Sequence, residues 1–325
     1  MAMSLEILAA DGLATVQDLS RPGLGHLGIA ESGACDRASH RKAQLLCFND
    51  VQTAGLELQQ CDLRARLIGG PRLCSVVGDC RWTVDGRVWP PGRSVWVEAG
   101  QEIRAEPASG GCRTYLALSG GIDVPRLGGS ASTHVFARLG GWHGRGLRAG
   151  DALKLGFTAG DCRELMLSQP SRSPDGQLCA VWTAAARLIS AAARTQLASE
   201  LWHVGAQSDR TAVALVGARL ALRASLSELS QPTACGAIQV AGDGTPRILL
   251  RDRPTIGGFP QVAVIATTSL DDAGQLRPGD AVRLQFVSPA QARRALRERH
   301  QLQTALETCL VPAWPPSSRQ LFQLL

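Results

Sequence analysis

The sequence predicts a mainly β protein of two lobes, on two observations. Between Ser230 and Phe286, short apolar runs alternate with turn signals such as GDG (242–244) and PGD (278–280), which is the pattern of a β-meander. The segment Leu276–Leu284 (LRPGDAVRL) also shares six of nine residues with Leu147–Leu155 (LRAGDALKL). We interpret this similarity as one turn-and-strand unit in each of two related lobes. The alternative is that both segments use the same common turn without any duplication of the chain.

Length and composition fit two domains. A chain of 325 residues allows one large domain or two ordinary ones, and 45% hydrophobic residues are enough for a core. The polar stretch 170–176 is the candidate linker, so we predict an N-terminal β lobe over residues 1–168 and a C-terminal β lobe over 169–325. The second lobe then carries a C-terminal helix and an irregular, proline-containing tail.

The first lobe is predicted to combine short strands with one helix. Asp36 is a candidate helix cap, because apolar residues recur behind it at helical spacing and predict a helix to about Phe48. From residue 54 to 103 the chain returns to short strands. Glu57 lies inside one of them, and we interpret it as the solvent-facing member of an alternating pattern; the alternative is a buried carboxylate with a partner.

The second lobe is predicted to hold two helices beside its strands. Thr183–Leu201 is rich in alanine, with leucine and isoleucine at helical spacing, so it is predicted to form one helix. Ser288 followed by Pro289 is typical of a helix N-terminus, and this helix is predicted to continue to about Glu307.

Composition argues against nucleic-acid and membrane functions. The formal net charge is +6, but the basic residues are scattered and aromatic residues make up only 4% of the chain, which does not fit a base-stacking platform. No apolar run approaches the roughly 20 residues of a membrane-spanning helix. The N-terminus lacks the basic and apolar regions of a signal peptide, so we predict a cytoplasmic protein.

The sequence also lacks motifs for metals and common cofactors. Its ten cysteines and six histidines are dispersed, without the close ligand pairs of metal or redox sites, and we predict no metal. Gly23–Gly28 fits GxGxxG formally, but Ser20-Arg21-Pro22 precedes it in place of a strand, so no dinucleotide site is predicted. P-loop, HExxH and GxSxG motifs are absent, as is the Ala-Met-Lys-Met sequence that carries covalent biotin.

Two glycine-rich loops are candidate pocket walls. Gly128–Thr133 (GGSAST) offers hydroxyl and backbone N–H groups that can surround an anion. Gly140–Arg145 (GGWHGR) adds one cation. Ordinary turns use the same residues, so neither loop is specific by itself.

A series of short segments keeps a fixed order between about residues 12 and 290. The segments are TVQDLSRPG (15–23), SGACD (32–36), Leu56-Glu57, YLALSGGID (115–123), GSAST (129–133), Gly144-Arg145, GAIQV (236–240), Asp243-Gly244 and GGFP (257–260). In this order they resemble the biotin-dependent carboxyltransferase-like family, also called allophanate hydrolase subunit 2.

The resemblance implies a mostly β fold of two cyclophilin-like barrel lobes with a few short helices. It implies a subunit of an ATP-dependent 5-oxoprolinase-type amidohydrolase complex, which helps to open 5-oxoproline to glutamate beside a B-type (allophanate hydrolase subunit 1-like) and an A-type subunit. ATP would be bound in the complex, on a chain that the sequence does not identify, and this chain would carry no covalent biotin. Two alternatives remain, a non-catalytic regulatory subunit of the Kip-antagonist type and the carboxyltransferase component of a urea-carboxylase or allophanate-hydrolase-like system.

Eight polar residues are candidates to line a cleft between the lobes and to bind a small carboxylate or lactam. They are Asp18 and Asp252 as catalytic acids, and Gln17, Arg21, Ser132, Thr133, Arg145 and Gln239 as substrate-binding residues. The two arginines would hold a carboxylate or phosphate, and the hydroxyl and neighbouring N–H groups an oxyanion. Ala131 and Ala214 stand where the family has arginine, which favours the regulatory alternative.

Overall fold

The chain folds mainly as β-sheet, in two compact units. The computed structural model describes residues 3–158, 162–168, 175–222, 230–304 and 310–313. Strands far outnumber helices among them, which confirms the predicted fold class. One unit comprises Met1–Arg21, Ser32–Arg172 and Thr304–Leu325, and the other comprises Pro22–Glu31 and Ser173–Gln303. These bounds differ from the predicted lobes, 1–168 and 169–325, at residues 22–31 and after residue 303, and the candidate linker lies mostly outside the described residues.

The strands and helices follow one another in this order. The strands are β1 (Ser4–Gln17), β2 (Gly55–Ile68), β3 (Arg72–Val77), β4 (Cys80–Val84), β5 (Arg87–Trp89), β6 (Arg93–Val97), β7 (Glu102–Pro107), β8 (Arg113–Leu118), β9 (Ala152–Lys154), β10 (Leu165–Leu167), β11 (Gln177–Trp182), β12 (Trp202–Val204), β13 (Ala212–Val216), β14 (Gln231–Pro232), β15 (Ala237–Val240), β16 (Pro246–Leu249), β17 (Ile256–Gly257), β18 (Gln261–Ile265), β19 (Ala281–Phe286) and β20 (Leu310–Pro312). The α-helices are α1 (Arg37–Leu46), α2 (Ala191–Ser199), α3 (Leu270–Gln275) and α4 (Pro289–Thr304), and short 3-10 turns span Gly25–Leu27, Ala184–Leu188 and Thr267–Ser269.

The first unit is built on one eleven-stranded sheet. Its main path runs β20-β10-β6-β3-β8-β2-β7-β4-β5, and β1 pairs with β2 and β9 beside this path. β1 and β2 pair antiparallel along their whole length, with a register shift next to Gly12. Gly12 has a φ of 126°, and a Cβ there would lie 2.3 Å from the carbonyl oxygen of Gln60, so only glycine fits this bulge. Beyond the bulge, β1 ends at Gln17, the first candidate site residue.

The second unit is a closed barrel of seven strands in the order β11-β18-β15-β16-β13-β12-β19. β19 closes it by pairing parallel with β11 and antiparallel with β12. Side chains such as Trp202, Ile238 and Ile248 fill its core and are fully buried. The predicted turn at 242–244 joins β15 to β16, and Asp243 accepts a hydrogen bond there from the backbone N–H of Thr245 at 2.9 Å.

The predicted helix after Asp36 is present as α1. The Asp36 carboxylate accepts a hydrogen bond from the backbone N–H of Ser39 at 2.9 Å, which satisfies a first-turn donor. The helix ends at Leu46, two residues before the predicted end, because Phe48 takes a left-handed φ of 57°. The Ser75 hydroxyl donates to the carbonyl of Ala43 at 2.8 Å and fixes α1 against β3.

The prediction of a single helix over Thr183–Leu201 is wrong. The segment forms a short 3-10 turn and then α2, with Ile189 and Ser190 between them. Ile189 forms a β-bridge with Leu222, and the Ser190 hydroxyl caps α2 by accepting a hydrogen bond from the backbone N–H of Ala193 at 3.0 Å. Strand pairing and local capping therefore outweigh the helix propensity of the alanines.

The predicted N-terminus of α4 is confirmed. The backbone N–H of Gln291 donates to the Ser288 hydroxyl at 3.2 Å, and the backbone N–H of Ser288 donates to the Gln291 side chain at 2.8 Å. This reciprocal pair is a capping box. The predicted end near Glu307 lies outside the described residues. Among the residues that are described, no helix combines the length and the apolar character needed to cross a membrane.

The two LRxGDAxxL segments form the same turn. The backbone N–H of Arg148 donates to the Asp151 carboxylate at 2.9 Å, and that of Arg277 donates to the Asp280 carboxylate at 2.8 Å. The strand that follows the turn is β9 in the first unit and β19 in the second.

Each turn also docks on a neighbouring strand in the same way. The glycine and aspartate of the turn exchange two backbone hydrogen bonds with Ile7 on β1 in the first unit, at 2.8 and 2.9 Å. The equivalent pair exchanges two with Val204 on β12 in the second unit, at 2.8 and 2.9 Å. This shared local fold supports the interpretation of two related units.

We expect Gly279→Ala to destabilise the second unit by about 1–2 kcal/mol, because Gly279 has a φ of 90° that an alanine adopts only with strain. Nothing lies within 4 Å of a Cβ built there, so the cost comes from the backbone alone. Gly242→Ala is the matched control, since Gly242 has neither a positive φ nor a close neighbour. Urea denaturation measures the difference, and equal midpoints would contradict the shared turn conformation.

Candidate functional site

Five of the eight candidate residues lie together in the first unit, where the loop Ser130–Thr133 meets the end of β1. The backbone N–H and the hydroxyl of Thr133 both donate to the carbonyl of Val16, each at 2.9 Å. Gln17 Nε2 in turn donates to the carbonyl of Thr133 at 3.0 Å. The structure thus brings the QD segment and the GSAST loop together across more than 110 residues of sequence.

Asp18 is the centre of this assembly and is buried. Its Oδ1 accepts hydrogen bonds from the hydroxyls of Ser130 at 2.6 Å and Ser132 at 2.5 Å. Its Oδ2 accepts one from the backbone N–H of Ala131 at 2.7 Å. The carboxylate therefore holds three successive residues of the loop in place. These contacts support a positioning role, whereas the predicted role of Asp18 as a catalytic acid stays a prediction.

The predicted oxyanion donors are all engaged within the protein. The backbone N–H of Ala131 bonds Asp18, that of Ser132 bonds the Ser130 hydroxyl at 3.0 Å, and that of Thr133 bonds Val16. The hydroxyls of Ser132 and Thr133 donate to Asp18 and Val16 respectively. These contacts of residues 131–133 give no support to oxyanion binding, which stays a prediction.

The two candidate arginines also contact protein groups. Arg21 is fully buried, and its guanidinium donates to the carbonyl of Ser132 and, at 3.5 Å, to the hydroxyl of Ser32. Arg145 forms a two-pronged pair with Asp151, with both distances at 2.7 Å. This pairing with Arg145 holds the pKa of Asp151 at about 2. Neither arginine gains support for anion binding from these contacts, so that role also stays a prediction.

The second glycine-rich loop packs against the first. Gly140 and Gly141 have φ values of 63° and 53°. A Cβ on Gly140 would lie 2.2 Å from the carbonyl oxygen of Ser132, and one on Gly141 would lie 1.8 Å from the hydroxyl of Thr133. Larger residues are excluded at both positions. Because these glycines have no side chain, the two loops can pack directly against each other, as two adjoining walls of a pocket would.

Gln239 and Asp252 belong to the second unit. Asp252 is buried and forms a two-pronged ion pair with Arg210, at 2.8 and 3.1 Å. Gln239 Nε2 lies 3.5 Å from the carbonyl oxygen of Phe259. The predicted catalytic role of Asp252, and a common cleft for all eight residues, stay predictions.

Sequence reasoning missed a buried network around Glu57. The solvent-facing interpretation of Glu57 is wrong, because its side chain is only 1% exposed. Glu57 Oε2 accepts hydrogen bonds from the Tyr115 hydroxyl and from the backbone N–H of Cys35, both at 2.8 Å, and Arg113 lies 3.4 Å away. The Tyr115 hydroxyl accepts from the backbone N–H of Asp36 at 2.7 Å. The signal in the sequence was a carboxylate inside an apolar strand, the alternative that required a partner.

His40 is a second group that the sequence did not single out. It is 1% exposed, and burial lowers its pKa to about 4, against the opposing pull of the carboxylates of Asp18 and Glu57. Within the described residues its Nε2 has no hydrogen-bond partner, and the same holds for Gln17 Oε1 and Gln44 Nε2. His40 therefore combines an uncharged imidazole with a ring nitrogen that is unpartnered in the described residues, which makes it a candidate for proton transfer.

Burial keeps several cysteine thiols protonated. Those in the described residues are free, and all except Cys179 and Cys235 are buried. Burial raises the pKa of Cys47, Cys61 and Cys80 to about 12, so these thiols stay protonated at neutral pH. The part of the chain that the structure describes contains no group of three or more side chains able to hold a metal ion.

A pocket in the first unit lies apart from the candidate site residues. Its volume is about 160 Å³, which is small beside ordinary ligand pockets of about 300–1,000 Å³. It is lined by Cys47, Phe48, Asn49, Asp50, Thr53, Ser119, Gly120, Phe157, Thr158 and Cys162. None of the candidate site residues lines it.

A closed seven-stranded barrel and a large sheet in one chain, with the GSAST loop clamped to the end of β1, define a carboxyltransferase-type fold. The structure of Kluyveromyces lactis urea carboxylase is similar with a TM-score of 0.84 and 25% identity, covering 94% of this chain and 29% of that chain. The chain belongs to the carboxyltransferase domain, subdomain A and B, family, whose model matches residues 27–286. The family predicted from the short segments is thus confirmed.

Two sequence relatives differ in how much of them this chain covers. The C subunit of the Escherichia coli 5-oxoprolinase is 28% identical over 302 residues, which cover 90% of this chain and 94% of that protein. The urea amidolyase of Saccharomyces cerevisiae is 28% identical over 327 residues, which cover 91% of this chain but 17% of that protein. The chain therefore spans nearly all of the first relative and under a fifth of the second.

We expect Asp18→Asn to cost about 3 kcal/mol of unfolding free energy, because an amide cannot accept all the hydrogen bonds that the carboxylate accepts from the loop. Asp123→Asn is the control, since Asp123 forms an exposed pair with Lys154 at 2.7 Å and should cost less than about 1 kcal/mol. Chemical denaturation compares the two variants. Similar small losses would mean that Asp18 does not organise the loop.

We expect His40 to make the folded protein sensitive to acid between pH 6.5 and about 4. Its folded pKa lies below its unfolded value, so the unfolded chain binds the proton first and unfolding becomes easier as the pH falls. The stabilisation is complete above pH 6.5 and declines by roughly 1.4 kcal/mol per pH unit within that window.

Urea denaturation at pH 7 and pH 5 measures this effect. His40→Gln should flatten the pH dependence, and His203→Gln, which changes an exposed histidine on β12, should leave it as in the wild type. A His40→Gln variant with the wild-type pH dependence would show that His40 is not the titrating group.

Proposed function

We propose that this chain is a C-type subunit of an ATP-dependent 5-oxoprolinase complex, which opens the lactam ring of 5-oxoproline to give glutamate. The match to the C subunit of the Escherichia coli 5-oxoprolinase carries this proposal, because it runs along 94% of that protein. The urea amidolyase match accounts for only 17% of a much longer protein.

The reaction requires more catalytic groups than the candidate carboxylates of this chain offer. Water must add to the lactam carbonyl, the C–N bond must break, and the nitrogen must leave with a proton as the amine of glutamate. The carboxylates of Asp18 and Asp252 are engaged with the loop and with Arg210 respectively. These contacts favour a division of labour in which partner subunits of the B and A types supply part of the catalytic groups.

His40 is the group of this chain that we propose for proton transfer. It is neutral at pH 7, its Nε2 is unpartnered in the described residues, and the carboxylates of Asp18 and Glu57 act on it electrostatically. A neutral imidazole is the form that can take a proton from the water that adds to the lactam carbonyl and pass it to the nitrogen when the C–N bond breaks. We propose that ATP is bound on a partner chain, because this sequence has no nucleotide-binding motif, and that the complex is cytoplasmic.

The fold also supports a second candidate, a carboxyltransferase that acts on carboxybiotin carried by another protein. The similarity to urea carboxylase, with a TM-score of 0.84, favours it. The chain itself offers no biotin attachment site, since its only lysines, Lys42 and Lys154, do not follow methionine. A regulatory subunit without catalysis is the third outcome that an experiment must separate.

The test is co-purification followed by reconstitution. We expect the tagged chain to capture B-type and A-type subunits, identified by mass spectrometry, and the complex to release phosphate and glutamate from ATP and 5-oxoproline. The chain alone should release neither. His40→Gln should lower the turnover of the complex while still capturing the partners, and His203→Gln should change neither property.

Three results would overturn the proposal. Glutamate formation by the A-type and B-type subunits at the same rate without this chain would leave it a regulatory role. Urea-dependent phosphate release that avidin blocks, with a biotin carboxylase among the captured proteins, would establish the carboxyltransferase function. Phosphate release by this chain alone would contradict the placement of ATP on a partner.

A further inference from the structure

Three arginines of the second unit are largely buried. Arg210, Arg251 and Arg253 are 3%, 7% and 8% exposed. Asp252 pairs with Arg210 at 2.8 Å, and Glu31 pairs with Arg253 at 3.3 Å. Arg251 forms no ion pair among the described residues.

Arg251 has unused hydrogen-bonding capacity as well as an unpaired charge. In the described part of the chain, its side chain takes part in no hydrogen bond and no ion pair. Arginine keeps its proton at all ordinary pH values. None of the Arg251 nitrogens is among the buried atoms that lack a partner in the described residues, so the guanidinium reaches solvent although the residue is only 7% exposed, and its donors are open to an anion.

Arg253, two residues further on, adds a second unused donor. Its Nη1 is buried and has no partner in the described residues, although its Nε lies 3.3 Å from the carbonyl oxygen of Thr233 and its Nη2 faces Glu31. A turn closes between Leu250 and Arg253, where the backbone N–H of Arg253 donates to the carbonyl of Leu250 at 3.4 Å. Arg251 therefore lies inside a fixed turn directly after β16.

Gln239 belongs to the same neighbourhood. A Cβ on Gly257 would lie 3.0 Å from Gln239 Nε2 and 3.5 Å from the methyl group of Thr233, whose carbonyl contacts Arg253. The contact of Gln239 with Phe259 is long, at 3.5 Å, so the amide can turn to another acceptor at little cost. A neutral donor thus lies near Arg253, and Arg251 precedes Arg253 by two residues in the same turn.

We propose that Arg251 and Arg253 form a binding site for a small oxyanion, either a carboxylate or a phosphate, with Gln239 as an additional donor. Planar guanidinium groups bind both kinds of anion through paired N–H···O contacts. The site does not depend on the proposed reaction, because it follows from arginine donors that have no partner in the described residues of the second unit. The two proposals can therefore fail separately.

The test is the thermal stability of the whole chain in a buffer poor in oxyanions, at constant ionic strength. The probes are 5-oxoproline, its uncharged carboxamide and inorganic phosphate. We expect the melting temperature of the wild type to rise with 5-oxoproline or with phosphate, and not with the carboxamide. A response to 5-oxoproline alone identifies a carboxylate site, and a response to phosphate alone identifies a phosphate site.

Variants of Arg251 decide where the anion binds. Arg251→Gln should melt close to the wild type without anion, since its guanidinium has no partner to lose in the described residues, and its affinity should be at least about tenfold weaker. Arg251→Lys keeps the charge but loses the paired geometry, so it should bind with intermediate affinity. Arg247→Gln, which changes an exposed arginine on β16, is the control and should match the wild type.

Several outcomes would overturn the site. Wild-type affinity in Arg251→Gln, or in Arg251→Lys if the first variant does not fold, would show that the anion binds elsewhere. A lower melting temperature of Arg251→Gln without anion would make the arginine structural. No response of the wild type to any probe would reject a small anion and would leave an acidic side chain of a partner protein as the counter-charge.

Discussion

The carboxylate of Asp18 is the contact on which the first unit's polar interior depends. It joins the end of β1 to residues more than 110 positions later, through Ser130, Ala131 and Ser132. A loop of small residues has little conformational preference of its own. With the carboxylate in place, the loop can carry Thr133 against Val16 and support the glycine-rich loop that packs on it. One buried acid thus fixes two loops.

Burial of charge organises the rest of the polar interior too. Glu57 is satisfied by Tyr115, Arg113 and a backbone N–H, and burial raises the pKa of Tyr115 above its ordinary value, which keeps its hydroxyl a donor. His40 has no charge to compensate, because burial lowers its pKa to about 4 and leaves the imidazole neutral at pH 7. Arg251 can do neither, since arginine keeps its proton. His40 and Arg251, whose hydrogen-bonding groups the fold does not use in full, are therefore the residues that we propose for proton transfer and for anion binding.

Much of the fold follows from local signals in the sequence. The caps at Asp36 and Ser288 and the glycine turns were readable, because each depends on a few neighbouring residues. The break at Ser190 was not, because Ile189 pairs with Leu222, a contact that local periodicity does not reveal. Glu57 was misread for a similar reason: the start of β2 is buried on both faces, so alternation carries no information there.

The candidate site shows a sharper limit of sequence reasoning. Gln17, Asp18 and the GSAST loop, which the sequence proposes as parts of one site, lie together, but residue types gave no indication of which polar atoms would remain unpartnered. Asp18 and Ser132 satisfy each other, whereas two residues that no motif marks keep open donors or acceptors among the described residues: the buried His40 and the solvent-accessible guanidinium of Arg251. Pairing depends on which side chains the fold brings within about 3 Å, and that is a property of the assembled structure.

The repeated turn shows how the guanidinium of Arg145 is engaged within the protein. In the second unit the turn aspartate, Asp280, forms its ion pair with Arg277 of its own turn, at 3.4 Å. In the first unit Asp151 instead receives both prongs of Arg145, and its pKa falls to about 2. The family's Gly-Arg segment thus gains a structural explanation, because it ties the glycine-rich loop to the turn that precedes β9. An arginine beside a glycine-rich loop indicates anion binding only when no carboxylate of the fold has already taken its guanidinium. By that criterion Arg251, and not Arg145, is the arginine to test.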